Sequence, residues 1–99
     1  MRLTTQQVDA IIDTFTEVFG QGEIRLFGSR VDDARGGGDI DLYVTPDDRA
    51  NLAERRITFL ARLKRRIGEQ KIDLVIASRT PRPIDRVAHE QGIVLCRKQ

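Results

Sequence analysis

Residues 39–44, Asp-Ile-Asp-Leu-Tyr-Val, alternate without a break between carboxylate or phenol and aliphatic side chains. A period of two is the signature of a strand with unlike faces. Here Ile40, Leu42 and Val44 share one face, and Asp39, Asp41 and Tyr43 share the other. Residues 71–77 repeat the arrangement, with Ile72, Leu74 and Ile76 on one side and Asp73 opposite. A sheet with acids on one face is covered by helices on the other face only. If the two strands are neighbours, Asp39, Asp41 and Asp73 gather on the uncovered face, where their mutual repulsion calls for a cation.

The rest of the chain supplies the parts such a sheet needs. Thr4 or Thr5 caps a first helix with apolar residues at Val8, Ile11, Ile12, Phe15, Val18 and Phe19, and Gly20 or Gly22 stops it. Residues 23–27 form the first strand, 29–34 a short helical turn and 35–38 a loop. After Pro46-Asp47-Asp48 a long helix runs to Ile67, presenting Leu52, Ile57, Leu60, Leu63 and Ile67, and Gly68 ends it. A loop over 78–83 precedes a short helix through Glu90, Gly92 closes that helix, and 93–96 form a fourth, edge strand followed by a tail. The expected fold is α/β (α+β): a small mixed sheet of about four strands, helices on one face, an open catalytic face, all in one domain over residues 1–99.

Composition narrows the class. With 99 residues, 39% of them hydrophobic and 32% charged, the chain can build one modest core. No apolar run approaches the roughly 20 residues of a membrane span, so a cytoplasmic protein without membrane contact is expected. The single Cys96 has no internal disulfide partner and reads as a space-filling residue. A net charge of +2 does not mark a nucleic-acid binder, and direct nucleic-acid binding is not expected. Seven basic residues nevertheless fall between Asp48 and Ile67 (Arg49, Arg55, Arg56, Arg62, Lys64, Arg65 and Arg66) against two acids. They read as a solvated helix face, or as a docking surface for an acidic partner or RNA.

The candidate chemistry is metal-assisted phosphoryl or nucleotidyl transfer. Aspartates on a rigid strand suit Mg²⁺, which demands near-octahedral oxygen ligation. A pair of such ions clamps the attacking and leaving oxygens of an in-line displacement. Asp39 and Asp41 are read as ligands of the ion that travels with the nucleotide phosphates. Asp41 also bridges to a second ion, and Asp73 completes that ion's shell. Gly28-Ser29 follows the first strand, where free backbone N–H groups and a hydroxyl can hold phosphate, with Arg30 as a further charge. His89, on a short polar helix, reads as a surface or packing residue; Tyr43 shares the acidic face and either lines the site or, as the preferred reading, shields the sheet.

Gly28-Ser29, Asp39-Ile40-Asp41 and the Asp73 of Lys-Ile-Asp-Leu-Val-Ile resemble the pattern of the DNA polymerase beta-like nucleotidyltransferase superfamily, most of all its minimal nucleotidyltransferase (MNT) domains. The ending Pro83-Ile84…Gly92-Ile93-Val94-Leu95 is similar to the tail of those domains, so the likeness spans nearly the whole chain. Two departures are visible: nine residues separate Ser29 from Asp39, one fewer than is common, and Gly38 stands where a Ser is frequent. Neither removes a ligand. The resemblance implies an enzyme using two Mg²⁺ ions and ATP as nucleotide donor. It further implies the antitoxin half of a toxin–antitoxin module, transferring AMP to a tyrosine of a HEPN-type ribonuclease toxin. Two alternatives stand beside this: a catalytically silent module that neutralises its partner by occlusion, and nucleotidyl transfer to a small molecule or RNA.

Overall fold

A computed structural model describes residues 3–28 and 39–99. The helical turn expected over 29–34 and the loop over 35–38 lie outside the described residues. Helix α1 spans Thr5–Val18, strand β1 Gly22–Phe27, β2 Ile40–Pro46, helix α2 Leu52–Ile67, β3 Ile72–Ile76, α3 Pro83–Gln91 and β4 Ile93–Lys98. The sheet order is β3-β2-β1-β4. β1 pairs antiparallel with both β2 and β4, whereas β2 and β3 are parallel. A parallel pair needs a crossover, and α2 is that crossover.

The expected alternation sets the layers. Ile24, Leu26, Ile40, Leu42, Val44, Ile72 and Leu74 form the covered face of the sheet, under Ile11, Phe15 and Phe19 at the α1 end and Phe59 and Leu63 of α2. Burying each of these side chains contributes about 1.5–3 kcal/mol. Helix α1 begins with a reciprocal cap: Gln7 N–H donates to Thr4 Oγ1 at 3.0 Å, and Thr4 N–H donates to Gln7 Oε1 at 2.9 Å. Cys96 is half-buried and packs against the same core, as its space-filling reading requires.

The structure sorts the basic residues of the second helix region in a way that charge counting misses. Arg55 donates to the carbonyls of Val18, Phe19, Asp48 and Ala50 at 2.8–3.1 Å and lies over the Phe19 ring, 5.1 Å from its centroid. It satisfies carbonyls left over at the end of α1 and ties them to the start of α2. Arg66 donates to the buried Thr14 hydroxyl at 2.7 Å and pairs with Glu17, which Arg62 also approaches. Three of the seven cations therefore serve helix packing.

The opposite face of the sheet is not bare along its whole length. Phe27, Tyr43 and Ala77 are buried there with Ala88 of α3, and Val75 and Ile84 pack against them. Helix α3 thus covers part of this face and, among the described residues, leaves Asp73 exposed and Asp41 half-buried at the other end. Strand β4 also runs further than the pattern suggested, to Lys98, because Arg97 stands opposite Glu23 in the β1 register and donates to its carboxylate at 2.8 Å.

Candidate active site

The register of the sheet brings the acids together. Asp41 of β2 lies opposite Asp73 of the parallel β3, and opposite Phe27 of β1. In-register neighbours on adjacent strands project to one face about 4.8 Å apart. Asp41 and Asp73 are therefore side by side because two short sequence patterns have been paired without a slip, since a shift of one residue would point Asp73 into the core. Asp41 is half-buried and Asp73 exposed.

Asp39 sits one step before β2. Ile40 N–H donates to the Lys71 carbonyl at 3.0 Å, which sets Lys71 across from Asp39, and Lys71 Nζ approaches Asp39 Oδ2 at 3.5 Å. The Asp41 carboxyl is pushed above its ordinary range, first by burial and then by the charges of Asp73 and Asp39 and a hydrogen bond shared with Asp73; Lys71 pulls the other way. Like charges compressed on one face favour proton or metal uptake.

Gly28 has a specific reason to be glycine. Its φ is +80°, and a Cβ there would fall 2.2 Å from Asp41 Oδ2. Gly28 thus lies against the Asp41 carboxylate with no room for a side chain, which joins it to the acid pair. Ser29 and Arg30, expected as phosphate ligands, lie outside the described residues.

Among the described residues, no three carboxylate, imidazole or thiolate groups stand close enough to close around a metal ion. Asp41 and Asp73 meet, while Asp39 engages Lys71. The donor set nonetheless suits a hard divalent cation. It consists of carboxylate oxygens only, and its central member carries the repulsion of both neighbours.

A groove of about 600 Å³ lies elsewhere, beside α3 and lined by Tyr43, Thr45, Ser78, Arg82 and Arg86 among others, with none of the three aspartates in its wall. Behind it is a cluster that the alternation of the strands did not reveal. Tyr43, which is buried, donates its phenol O–H to Asp85 Oδ1 at 2.7 Å. Asp85 also accepts from the Arg82 backbone N–H at 2.7 Å and from Arg82 Nε at 3.0 Å. Arg82, aided by the Tyr43 hydroxyl and backbone N–H groups, holds the Asp85 carboxyl far below the usual carboxylate range against the pull of its burial. Burial and then Asp85 push the Tyr43 phenol up to about 12. Tyr43 therefore anchors α3 to the sheet, in keeping with its reading as a shield. The usable signal was Asp85 two positions after Pro83, an acid in the first turn of a Pro-started helix. His89 is exposed and sets its ring edge-on against Tyr43, with centroids 5.3 Å apart. It packs, as expected of it.

A model of the family described as "Polymerase beta, Nucleotidyltransferase" matches residues 9–99. The chain belongs to the polymerase beta nucleotidyltransferase family. The sheet with its acid pair opposite α1 and α2 is the fold of that family, and nucleotidyl transfer is its enzyme class. Among solved structures, the chain is similar to one described as a toxin–antitoxin with AMP-PNP, with a TM-score of 0.75 and 22% identity over 93% of this chain and 74% of the other. It is similar also to a mutant of the toxin–antitoxin MntA-HpeT, with a TM-score of 0.74, 22% identity and the same coverage. At that identity the likeness is one of fold. No curated protein is similar enough to count as a relative. Among the described residues, no helix is long and apolar enough to cross a membrane.

Proposed function

We propose that this polymerase beta-type nucleotidyltransferase uses Mg²⁺ and ATP to place AMP on a tyrosine hydroxyl of a protein partner. In this reading it is the antitoxin of a toxin–antitoxin pair whose toxin is a HEPN-type ribonuclease. The carrying observation is the in-register Asp41–Asp73 pair with Gly28 pressed against Asp41. Support for the nucleotide and for the partner comes from similar folds described with AMP-PNP and as toxin–antitoxin complexes. The exposure of Asp73 also fits an acceptor carried by another macromolecule.

Asp39, Asp41 and Asp73 would hold the ions, which supply charge neutralisation on the triphosphate and acidify the attacking hydroxyl. The bond formed joins the acceptor oxygen to the α-phosphorus, the α–β bridge breaks, and pyrophosphate leaves; the hydroxyl proton departs to solvent past the exposed Asp73. Gly28 admits the phosphates beside Asp41, and Ser29 and Arg30 are proposed to grip them. Arg56, Lys64 and Arg65 of α2, which pair with no other side chain among the described residues, are proposed to face the partner.

The test is incubation with labelled ATP, Mg²⁺ and the product of the adjacent reading frame. Label should move to that product, and Asp41→Ala should abolish the transfer. Undiminished labelling by Asp41→Ala, or full neutralisation of the partner in cells by Asp39→Asn plus Asp41→Asn, would overturn the catalytic reading in favour of occlusion.

A further inference from the structure

Lys71 takes no part in the proposed transfer, yet it stands beside the acids. It immediately precedes β3, across from Asp39 through the Ile40 N–H to Lys71 carbonyl bond at 3.0 Å. The strand period puts its side chain on the same face as Asp73, two residues on. Its ammonium lies 3.5 Å from Asp39 Oδ2. One lysine is therefore flanked by one carboxylate across the strand pair and by another along its own strand.

We propose that Lys71 is the built-in counter-ion of the acidic face, engaging Asp39 while no divalent cation is bound and yielding that carboxylate when one arrives. This rests on the reading that the aspartates bind a divalent cation. An ammonium and a divalent ion compete for Asp39, because the repulsion the ammonium feels from an ion bound there rivals its own attraction to the oxygen. Withdrawal is easy for Lys71: its side chain is 71% exposed, against 45% for Asp39, and its charge rides on a flexible four-carbon stem that water solvates well. An arginine at this place would hold a carboxylate in a fixed fork and release it less readily.

In the cation-free protein Lys71 offsets part of the repulsion among Asp39, Asp41 and Asp73, so the acidic face is tolerated before the metal arrives. The same charge makes the metal compete for Asp39. Removing the lysine should therefore tighten divalent binding and weaken the cation-free fold, two effects of opposite sign from one substitution. A lysine that merely reaches into solvent would produce neither.

The test is a titration with Mn²⁺ alone, and separately Mg²⁺ alone, of wild type, Lys71→Gln and Lys71→Arg, followed by calorimetry and by thermal melting with and without EDTA. Lys71→Gln is expected to bind Mn²⁺ about three- to tenfold more tightly at low salt, with a smaller difference at high salt. It should also melt lower in EDTA and gain more on metal addition. Lys71→Arg, which keeps the charge, should bind no more tightly than wild type. Affinity unchanged within about twofold in Lys71→Gln, weakened affinity, or equal tightening in Lys71→Arg overturns the counter-ion role while leaving the metal reading intact. Failure of wild type and both variants to take up either cation overturns both.

Discussion

Asp41→Asn separates a catalytic carboxylate from a structural one. Asp41 and Asp73 are paired in register on adjacent strands, and Asp41 feels Asp39 as well. Two unit charges about 4–5 Å apart repel by roughly 1 kcal/mol in water and by about 4 at an effective dielectric constant of 20. Asp41 is only half-buried and Asp73 is exposed, so solvent screening puts the figure near the lower limit, about 1 kcal/mol. Asparagine keeps the shape and can donate a hydrogen bond to Asp73 in place of the one the two acids share. The cation-free variant is therefore expected to be more stable than wild type. For a chain of this length about 1 kcal/mol is worth roughly 4–8 °C in Tm. The sign with pH follows from the raised Asp41 pKa. The folded state binds the Asp41 proton more readily than the unfolded chain does, so wild type recovers this stability as pH falls through the folded value, and the gap between the two proteins closes in acid. Thermal melts in EDTA from pH 4 to 8 measure this, and repeating them with Mg²⁺ and ATP should raise wild type and leave Asp41→Asn unmoved. A variant that melts below wild type at pH 7 in EDTA would refute the account, because Asp41 would then be holding structure rather than enduring repulsion.

Other substitutions probe neighbouring parts of the argument. Gly28→Ala places a Cβ 2.2 Å from Asp41 Oδ2 at a φ of +80°. It is expected to cost about 1–2 kcal/mol in backbone strain and to displace the carboxylate, so calorimetry should find divalent binding weakened more than tenfold in a protein that still folds. Asp85 behaves oppositely to Asp41. Its folded pKa is depressed, so its stabilisation is whole above the unfolded value near pH 4 and is lost as pH falls below that towards the folded value. Acid unfolding of Asp85→Asn should begin from a lower stability at pH 7 and show a shallower slope below pH 4 than wild type. Tyr43→Phe removes the 2.7 Å bond to the same carboxylate and should cost about 1–2 kcal/mol in a denaturant titration.

Much of the acid-bearing face was legible because strand alternation converts sequence order directly into spatial side. The period of two in 39–44 and 71–77 separated acids from aliphatics, and the structure keeps that separation residue for residue. The capped first helix, the long crossover and the glycine stops were likewise written in local chemistry. Local chemistry did not reveal the work of Arg55, Arg66 and Asp85. A guanidinium on a charged helix reads the same whether it meets water or the carbonyls of another helix 36 residues away, as Arg55 does with Phe19. Asp85 likewise gives no hint in the sequence that a tyrosine 42 residues earlier donates to it.

Which side chains share a face, and that those faces differ in kind, followed from residue order alone, since both depend only on backbone geometry within one strand. The tertiary structure alone decided that β2 and β3 are parallel neighbours in the register that sets Asp41 beside Asp73. It decided too that Lys71 reaches Asp39 and that α3 covers one end of the acid-bearing face and spares the other. Pairing and coverage depend on which surfaces can be buried together at once, a property of the whole chain that no segment carries alone.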